Sequence, residues 1–419
     1  MSVFNIFRLC LLSVVTYLSS QQLMAEEWFE FRGPTGQGHS TEKSLPLEWS
    51  PTEHVLWKTD VPGVGWSSPI VVGDKVYVTT AVPKDADPSP EQSLRVICLN
   101  LETGAILWNK EVFQETKDTT QRIHKKNSHA SPTPISDGKV IYVHFGAHGT
   151  ACLTLDGEEV WKTDELKYEM QHGNGGSPII VDDKLVIICD GKGKNFIAAL
   201  NRNTGKIEWK VDRNVDTRKK FSFGTPLLIT VNGKKQIVAP GTDLISGHSP
   251  EDGKEIWHLN YSGYSVIPRP IFSHGLIFVT TSYDRPSLLA IRPDGTGDVT
   301  DTHLAWSNKS QIPHTPSLLV VGDELYSVSD QGIGQCFDAK TGELIWKERV
   351  GGNYSASPLY ADGKIYFQSE EGETTIIAAG KTYKEIGRNH LKAPTLASFA
   401  VAGDTLLIRT KTQLYRIGK

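Results

Sequence analysis

Short apolar runs, each broken by a turn, recur along the chain and carry its main structural signal. Seven of them read IVVGDKVYV, PISDGKVIYV, IIVDDKLVII, LLITVNGKKQIVA, IFSHGLIFV, LLVVGDELYSV and LYADGKIYF. β-Branched residues on both sides of Gly-Asp, Asp-Gly or Asn-Gly are typical of β-hairpins. An eighth run, FAVAGDTLLIRT, begins at Phe399. No helical periodicity extends over a useful length, so the pattern predicts an all-β fold.

A proline precedes or opens each of the first seven hairpins, and in six of the seven it follows serine or threonine. Proline is tolerated at the first residue of a strand, where its missing N–H costs no ladder hydrogen bond. We therefore expect the inner strand of each repeat to begin at Ser68-Pro69, Ser131-Pro132, Ser177-Pro178, Thr225-Pro226, Arg269-Pro270, Thr315-Pro316 and Ser357-Pro358.

A second phrase, Gly-x-x-x-Trp, closes most repeats. Its glycines are Gly104, Gly157, Gly205, Gly253 and Gly342, and the tryptophan column is Trp108, Trp161, Trp209, Trp257, Trp306 and Trp346. A fixed spacing of about 50 residues indicates one supersecondary unit copied along an array. We expect each tryptophan to fill the wedge between two units and to donate its indole N–H to a backbone acceptor. Each glycine would supply a positive φ or a flat surface under the ring.

The count of these units predicts eight blades. The seventh repeat has Tyr383–Ile386 where a tryptophan would fall, and the eighth hairpin reaches Lys419 without a fourth strand. Val55–Lys58, which contains Trp57, resembles the missing outer strand. Its pairing with Leu406–Ile417 would close the ring and leave no broad open edge. We therefore predict an eight-bladed β-propeller of four-stranded antiparallel blades, closed by an N-terminal strand.

The first residues have the character of an export signal. Arg8 gives a positive start, Leu9–Leu18 is a short apolar core, and Ala25 offers a cleavage point before Glu26. The apolar core is short for a membrane span, and no later segment is apolar enough to form one. We expect a signal peptide over residues 1–25 and a single propeller domain over 26–419, monomeric and periplasmic or secreted.

Charge and cysteine usage narrow the partners and the covalent structure. A net charge of −4 lacks the basic excess of a nucleic-acid-binding protein. Cys98, Cys152 and Cys336 occupy the same place in their repeats, and equivalent places in a radial array are held apart by intervening blades. Together with Cys189, they are expected to be buried free thiols that act as small hydrophobic side chains.

The phrase Ala/Asn-x-Asp-x-x-Thr-Gly-x-x-x-Trp resembles the tryptophan-docking repeat of the PQQ-like β-propellers. Within that group the chain is similar to secreted bacterial proteins that begin with Trp-x-x-Phe-Arg-Gly-Pro-x-Gly-x-Gly, here Trp28 to Gly38. Leu45–Trp49, Gly65–Pro69 and Lys126–Pro134 continue this resemblance. The same repeat occurs in quinoprotein dehydrogenases and in the outer-membrane assembly factor BamB, so the resemblance implies the fold more strongly than an activity.

Three functions remain open. The expected one is a non-catalytic binding or scaffold propeller for a protein or a small ligand, with no catalytic residues and no cofactor. The second is a quinoprotein oxidoreductase that uses PQQ and calcium, but the chain has no Cys-Cys pair and no convincing set of calcium ligands. The third is a BamB-like subunit of outer-membrane protein assembly, although no counterpart of that protein's lipid-anchored cysteine is evident.

The mouth of the central channel, where the inner strands begin, is the expected ligand site, because such a mouth mixes aromatic and polar groups. The candidate ligand-binding residues are Trp66, His129, His172, Asn174, Phe223, Arg269, His314 and Tyr354. His129, His172 and His314 are also a hypothetical metal set, but the sequence favours separate hydrogen bonds for each histidine and no metal. The acidic loop Asp294–Asp301 lacks the last glutamate of a calcium loop and is expected to be an ion-free turn.

Overall fold

The computed structural model describes residues 27–85, 91–213 and 215–419, and the predicted signal peptide lies outside these ranges. Within them the strands form eight sheets in chain order, and the predicted all-β, eight-bladed propeller is confirmed. The sole helical element of these ranges is a 3₁₀ turn at Gly146–His148, so no described helix has the length or the apolar character that crossing a membrane requires.

The strands of blades 1 to 4 are given from the channel outward. Blade 1 comprises Ile70–Val72, Lys75–Pro83, Gln92–Asn100 and Ile106–Glu115, and blade 2 comprises Ile135–Ser136, Val140–His144, Thr150–Thr154 and Glu159–Thr163. Blade 3 comprises Ile179–Val181, Lys184–Cys189, Phe196–Asn201 and Ile207–Asp212. Blade 4 comprises Leu227–Val231, Lys234–Pro240, Leu244–His248 and Glu255–Asn260, with Gly297–Asp298 added in parallel on the outside.

Blades 5 to 8 follow the same plan. Blade 5 comprises Ile271–Ser273, Leu276–Thr280, Leu288–Ile291 and Leu304–Asn308, and blade 6 comprises Leu319–Val321, Glu324–Val328, Ile333–Asp338 and Leu344–Arg349. Blade 7 comprises Leu359–Ala361, Lys364–Gln368, Glu373–Ala378 and Glu385–His390, with His39–Ser40 beside its inner strand. Blade 8 comprises Ala400–Ala402, Thr405–Arg409, Gln413–Ile417 and, outermost, Val55–Asp60.

The ring closes through blade 8, as the sequence predicts. Val55–Asp60 pairs antiparallel with Gln413–Ile417, so that Trp57 lies opposite Arg416 and Lys58 opposite Tyr415. The outer strand of the last blade therefore comes from the start of the propeller and the other three from its end. This pairing covers an edge that would otherwise be open.

The tryptophans occupy the wedges between blades. In six of the seven, the indole N–H donates to a backbone carbonyl of the following blade, at 2.7 Å for Trp57 to Leu101 and 2.8 Å for Trp161 to Arg202. The rings cover the glycine of the following repeat in five wedges: Trp57 on Gly104, Trp108 on Gly157, Trp161 on Gly205, Trp209 on Gly253 and Trp306 on Gly342. All five glycines have φ between 70° and 87°, so they serve both as turn residues and as flat surfaces.

Two wedges lack a tryptophan that donates to the following blade. Trp257 is fully buried against Gly247 of its own blade, and its Nε1 donates to Gln236 Oε1 at 2.8 Å. In blade 7 the residue that corresponds to the repeat tryptophan is Gly387, which lies opposite Ile376 as Trp346 lies opposite Cys336. The expectation that Tyr383–Ile386 takes this place is therefore wrong by register.

A segment from outside the repeats fills the vacant place in blade 7. The backbone N–H of Trp49 donates to Asn389 Oδ1 at 2.8 Å, and Asn389 Nδ2 donates to Leu47 O at 2.9 Å. Trp49 is 5% exposed and belongs to a core cluster that joins blades 7, 8 and 1. This cluster illustrates where the core lies, because each apolar cluster combines the facing surfaces of neighbouring sheets.

The four cysteines of the described chain are free and buried, as predicted. Three of them lie directly opposite the repeat tryptophan on the neighbouring strand: Cys98 opposite Trp108, Cys152 opposite Trp161 and Cys336 opposite Trp346. Burial raises the pKa of the Cys98 thiol to about 12. These thiols are therefore small apolar side chains beneath the tryptophan column.

Residues Trp28–Gly38 form a plug across the central channel. The plug pairs with blade 1 through Trp28 and Val71 and with blade 2 through Phe29 O, which accepts the N–H of Ser136. On the opposite side Gly38 O accepts the N–H of Tyr360 in blade 7. Three glycines of the plug, Gly33, Gly36 and Gly38, have φ between 65° and 83° and lie directly against Trp28, Arg269 and Arg32.

Candidate functional site: a funnel at the channel mouth

A cavity of about 300 Å³ opens at the end of the channel where the inner strands begin. We call it the funnel. Its upper tier is formed by one residue from each blade. That residue stands two positions before the residue that the same blade contributes to the lower tier, which is described in the next paragraph. These residues are Trp66, Ser131, Gly175, Phe223, Ile267, Thr315, Ser355 and Leu396. The tier is apolar toward blades 1, 3, 4, 5 and 8 and carries hydroxyl groups toward blades 2, 6 and 7.

The lower tier is a ring of side-chain hydroxyls. Seven blades contribute one each: Ser68, Thr133, Ser177, Thr225, Ser317, Ser357 and Ser398. The backbone N–H groups of five of these residues, and that of Arg269, each donate to the hydroxyl oxygen of the next blade, at 3.0 Å from Ser68 to Thr133 and 2.9 Å from Ser357 to Ser398. Six such bonds stitch the inner ends of the blades together. Arg269 occupies the place of the eighth hydroxyl, in blade 5.

This ring corrects the strand starts that we expected in two blades. In blade 2 the residue in the ring is Thr133 rather than Ser131, and in blade 6 it is Ser317 rather than Thr315. In every blade the inner strand begins two residues after the ring residue, as at Ile135. Side chains of extended chain alternate with period two, so an error of two residues keeps the direction but shifts the tier.

The plug forms the floor of the funnel, where Phe31 faces the cavity. Beneath it, Arg269 Nη1 donates to Glu30 Oε2 and to Phe31 O, both at 2.8 Å, and Arg269 Nε donates to Pro226 O. Arg32 Nη2 donates to Leu318 O at 2.6 Å. Burial raises the pKa of Glu30, and burial together with the charge of Arg269 lowers the pKa of Arg32 to about 9. These contacts anchor the plug to blades 4, 5 and 6.

An arc of six aromatic rings follows the rim. Its members, in order, are His124, His172, Phe221, Tyr264, Tyr283 and His314, with centroid separations from 4.6 to 6.1 Å. Most contacts are edge-to-face or tilted, which is the arrangement that aromatic quadrupoles favour. The arc therefore forms a continuous apolar wall from blade 2 to blade 6.

Lys126 is the one lysine or arginine among the described residues that line the funnel. It comes from the long loop between blades 1 and 2 and reaches blades 6 and 7, where Nζ lies 2.7 Å from Glu370 Oε1 and 3.9 Å from Asp330 Oδ1. Burial disfavours its charged form, but these carboxylates raise the pKa of Lys126. Asp330 also accepts hydrogen bonds from His314 N and Thr315 Oγ1. Lys126 and the two carboxylates thus pair with one another at the rim.

Of the eight residues proposed from sequence, Trp66, His172 and Phe223 line the funnel. The other five lie elsewhere. His129 contacts Glu115, Asn174 is buried beside Gly146, Arg269 lies under the plug, His314 stands behind Tyr283, and Tyr354 is fully buried next to Ser369. The polar and aromatic lining residues that the sequence did not single out, such as His124 and Tyr264, lie in loops before or within blades.

The three candidate metal histidines do not converge. His129 Nδ1 lies 2.6 Å from Glu115 Oε2, whose other oxygen lies 2.9 Å from His148 Nε2. His314 lies against Asp330 in blade 6. Within the described ranges, no group of three or more histidine, cysteine, aspartate or glutamate side chains is arranged to hold a metal ion.

Glu115 is the buried centre of a small polar cluster outside the funnel. Burial raises its pKa, but hydrogen bonds and charge interactions with His129 and His148 outweigh that effect and lower the pKa to about 2.

In the acidic loop Asp294–Asp301, Gly297–Asp298 pairs with the outer strand of blade 4, and Asp298 Oδ1 accepts the N–H of Thr300. The Asp298 carboxylate therefore stabilises the turn by accepting a backbone N–H from within the same loop.

The fold and the funnel define the protein as an eight-bladed β-propeller with a plugged central channel. A family model described as outer membrane protein assembly factor BamB matches residues 48–210, 193–310 and 296–384. These segments cover most of the chain, which therefore belongs to this family of PQQ-like propellers.

Similarity to individual proteins is more limited. BamB of Yersinia pestis is 22% identical over 214 residues, which are 46% of this chain and 51% of that protein. The chain thus matches about half the length of this relative. Among solved structures, BamB from Moraxella catarrhalis superposes with a TM-score of 0.60 at 15% identity, over 86% of this chain and 97% of that one. A europium-containing methanol dehydrogenase superposes with a TM-score of 0.69 at 11% identity, over 94% and 98%. These structures share the fold.

The residues of the funnel do not suit PQQ with calcium, the cofactor pair associated with the quinoprotein members of this fold. Calcium takes six to eight oxygen ligands, usually with carboxylates among them. No carboxylate lines the funnel in the described part of the chain. The nearby Asp330 and Glu370 already accept hydrogen bonds or ion pairs from Thr315, Ser355 and Lys126. The donor set is one of hydroxyls and aromatic rings instead.

Proposed function

We propose that this protein is an exported, non-catalytic propeller that binds a ligand in the funnel. The observation that carries the proposal is the funnel itself: every blade contributes to it, the plug closes its floor, and the lysine that lines it is paired with carboxylates. A concave site with a largely apolar wall and a few convergent polar groups is typical of ligand binding.

The competing function is PQQ-dependent oxidation, and it can be tested directly. The purified protein is incubated with PQQ and calcium, followed by absorbance spectroscopy, native mass spectrometry and an assay with alcohols and sugars. We expect no saturable PQQ binding and no substrate-dependent dye reduction. Stoichiometric PQQ binding with oxidation of any of these substrates would refute the proposal.

A protein partner is the second candidate, supported by family membership and by the outer strands. Leu56, Leu107 and Val160 are 46 to 49% exposed and immediately precede the wedge tryptophans of blades 8, 1 and 2, which are neighbours in the ring. A role in outer-membrane protein assembly, like that named for BamB, predicts a partner at this face. Photo-crosslinking residues placed at Leu107 and, as a control, at Lys340 of blade 6 would test it in envelope extracts. A Leu107-specific adduct with an outer-membrane assembly protein supports this candidate, and equal or no labelling at the two positions rejects it.

Export is part of the same proposal and needs its own measurement. The signal-like character of residues 1–25 and the family match support it. Expression in a Gram-negative host, followed by fractionation and N-terminal sequencing, should recover a chain that begins at Glu26 outside the cytoplasm. Recovery of the full-length chain in the cytoplasm would contradict export.

A further inference from the structure

We propose that the ligand of the funnel is a neutral saccharide of one or two rings. This inference rests on the proposed function, because it assigns a ligand class to the same site. Three properties of the funnel carry it: the unused hydroxyl donors of the ring, the aromatic wall, and the balance of charge.

The hydroxyl ring has hydrogen-bonding capacity to spare. A hydroxyl offers one O–H donor and two acceptor lone pairs. Thr133, Ser177, Thr225, Ser317, Ser357 and Ser398 each accept one backbone N–H. That bond leaves one donor and one lone pair on each oxygen, facing the cavity. A polyhydroxylated ligand, whose groups are donors and acceptors at once, complements such a ring at any rotation about the channel axis.

The upper part of the funnel has an apolar and aromatic wall above the hydroxyl ring. Trp66, Phe223 and Ile267 line its upper tier, and Tyr264 and Phe221 belong to the rim arc. Lys219 Nζ lies 3.8 Å from the centroid of the Tyr264 ring and covers one of its faces. A pyranose has an apolar C–H face and a polar hydroxyl edge. Aromatic rings have electron-rich faces that attract such weakly positive C–H groups. The wall and the ring therefore match the two faces of a sugar.

Charge argues against an ionic ligand. Lys126 is neutralised by Glu370 and Asp330. Burial, assisted by neighbouring cations, lowers the pKa values of His124 and His172, which favours the neutral form of both rings. Arg32 and Arg269 lie below the floor, and their hydrogen bonds go to the plug and to backbone carbonyls. Among the described residues that line the funnel, a charged ligand would therefore meet no unpaired charge.

Size sets the length of the ligand. The cavity volume of about 300 Å³ lies at the lower end of the range of small-molecule sites, about 300–1,000 Å³. One or two sugar rings fill such a space, and Phe31 of the plug lines its floor. The funnel therefore suits a chain end rather than the middle of a long polysaccharide.

Isothermal titration calorimetry with defined probes tests the proposal. The probes are glucose, N-acetylglucosamine, cellobiose, maltose and N,N′-diacetylchitobiose, with glucuronate and glucosamine as charged counterparts. We expect saturable binding of at least one neutral probe and weaker binding of its charged counterpart. Tyr264→Ala should weaken binding by roughly tenfold or more, whereas Tyr264→Phe, which retains the ring, should leave it within about threefold.

Further variants separate loss of binding from loss of folding. Thr225→Val removes a ring hydroxyl at nearly constant volume and should weaken binding. Tyr383→Ala removes an aromatic side chain that contacts Trp346 outside the funnel and should not. Circular dichroism and thermal melts check each variant. Absence of binding by every neutral probe, or binding that these funnel variants leave unchanged, overturns the saccharide inference. Stoichiometric binding of PQQ together with oxidation of an alcohol or sugar would instead overturn the proposed function.

Discussion

The smallest repeated contact of this fold is the packing of a tryptophan of one blade on a glycine of the next. Gly205 and Gly275 both have φ of 72°, but only Gly205 is covered, with a Trp161 ring atom 2.5 Å from the position of an added Cβ. Nothing lies within 4 Å of the corresponding position at Gly275. The two glycines thus separate the cost of a positive φ from the cost of displacing a ring.

Gly275→Ala should cost about 1–2 kcal/mol, the penalty of a left-handed conformation for a residue with a Cβ. Gly205→Ala should cost a further 1–3 kcal/mol, because the methyl group forces the Trp161 ring out of the wedge. Urea unfolding of both variants measures the difference. Equal costs would mean that the ring does not depend on this glycine.

Glu115 predicts a pH dependence of stability at the same scale. Its folded-state pKa of about 2 is below the ordinary value near 4.3, so the unfolded chain takes up the proton first as the pH falls. The stability that this carboxylate contributes, about 3 kcal/mol, is present above pH 5 and is lost toward pH 2. Glu115→Gln should therefore be less stable than the parent at pH 6 and nearly equal to it at pH 2.5.

The control for this prediction is Glu53→Gln, which changes an exposed carboxylate. It should lower the unfolding free energy little at either pH. If the Glu115→Gln deficit were the same at pH 6 and pH 2.5, the carboxylate's contacts with His129 and His148 would not be the source of the stability.

At the scale of elements, sequence predicted most of the blades and missed two registers. The motif Ser131-Pro-Thr-Pro134 contains two Ser/Thr-Pro steps, and both satisfy the rule for a strand start. The hydrogen bond from Ser68 N to Thr133 selects the second. That choice depends on a neighbouring blade, which is information that no local pattern contains. Because the expected strand start was two residues too early, the sequence proposed His129 for the site, where the structure has Ser131.

The N-terminal segment is the second element that local patterns did not place. Its resemblance to other proteins was evident, but its position in the channel and in the wedge of blade 7 was not. Both depend on contacts between residues more than 200 positions apart, such as Arg269 with Glu30. The floor of the funnel and part of the packing against blade 7 therefore come from residues outside the repeats.

Trp49 tests this account of blade 7. It belongs to the apolar cluster that joins blades 7, 8 and 1, and its backbone N–H donates to Asn389 on the strand that carries Gly387. Its side chain is 5% exposed. Trp49→Ala should cost about 3–5 kcal/mol, as much as Trp108→Ala in an ordinary wedge. Guanidinium unfolding of both variants provides the comparison. A cost below about 1 kcal/mol for Trp49→Ala, with a full cost for Trp108→Ala, would show that the segment only covers blade 7.

At the scale of the whole molecule, the ring predicts that its two ends stabilise each other. Sequence alone was sufficient for this point, because the eighth hairpin lacked a strand and Val55–Lys58 supplied the right pattern. In the structure, Trp57 Nε1 also donates to Leu101 O in blade 1 at 2.7 Å, so the closing strand joins blade 8 to blade 1 as well. Its loss therefore opens a sheet edge and a wedge at once.

Two truncations separate the plug from the closure. A chain that begins at Ser50 lacks the plug and Trp49 but retains Val55–Asp60, and it should remain a monomeric closed ring of reduced stability. A chain that begins at Val61 leaves Gln413–Ile417 as an open edge and should self-associate and unfold with a lower denaturant m-value, because less surface is buried cooperatively. Light scattering and guanidinium unfolding distinguish the two. A peptide of residues 50–60, added to the shorter chain, should restore the monomer, since it supplies both the missing strand and Trp57. Failure of the peptide to act, together with a monomeric and cooperative shorter chain, would show that the ring closes without this strand.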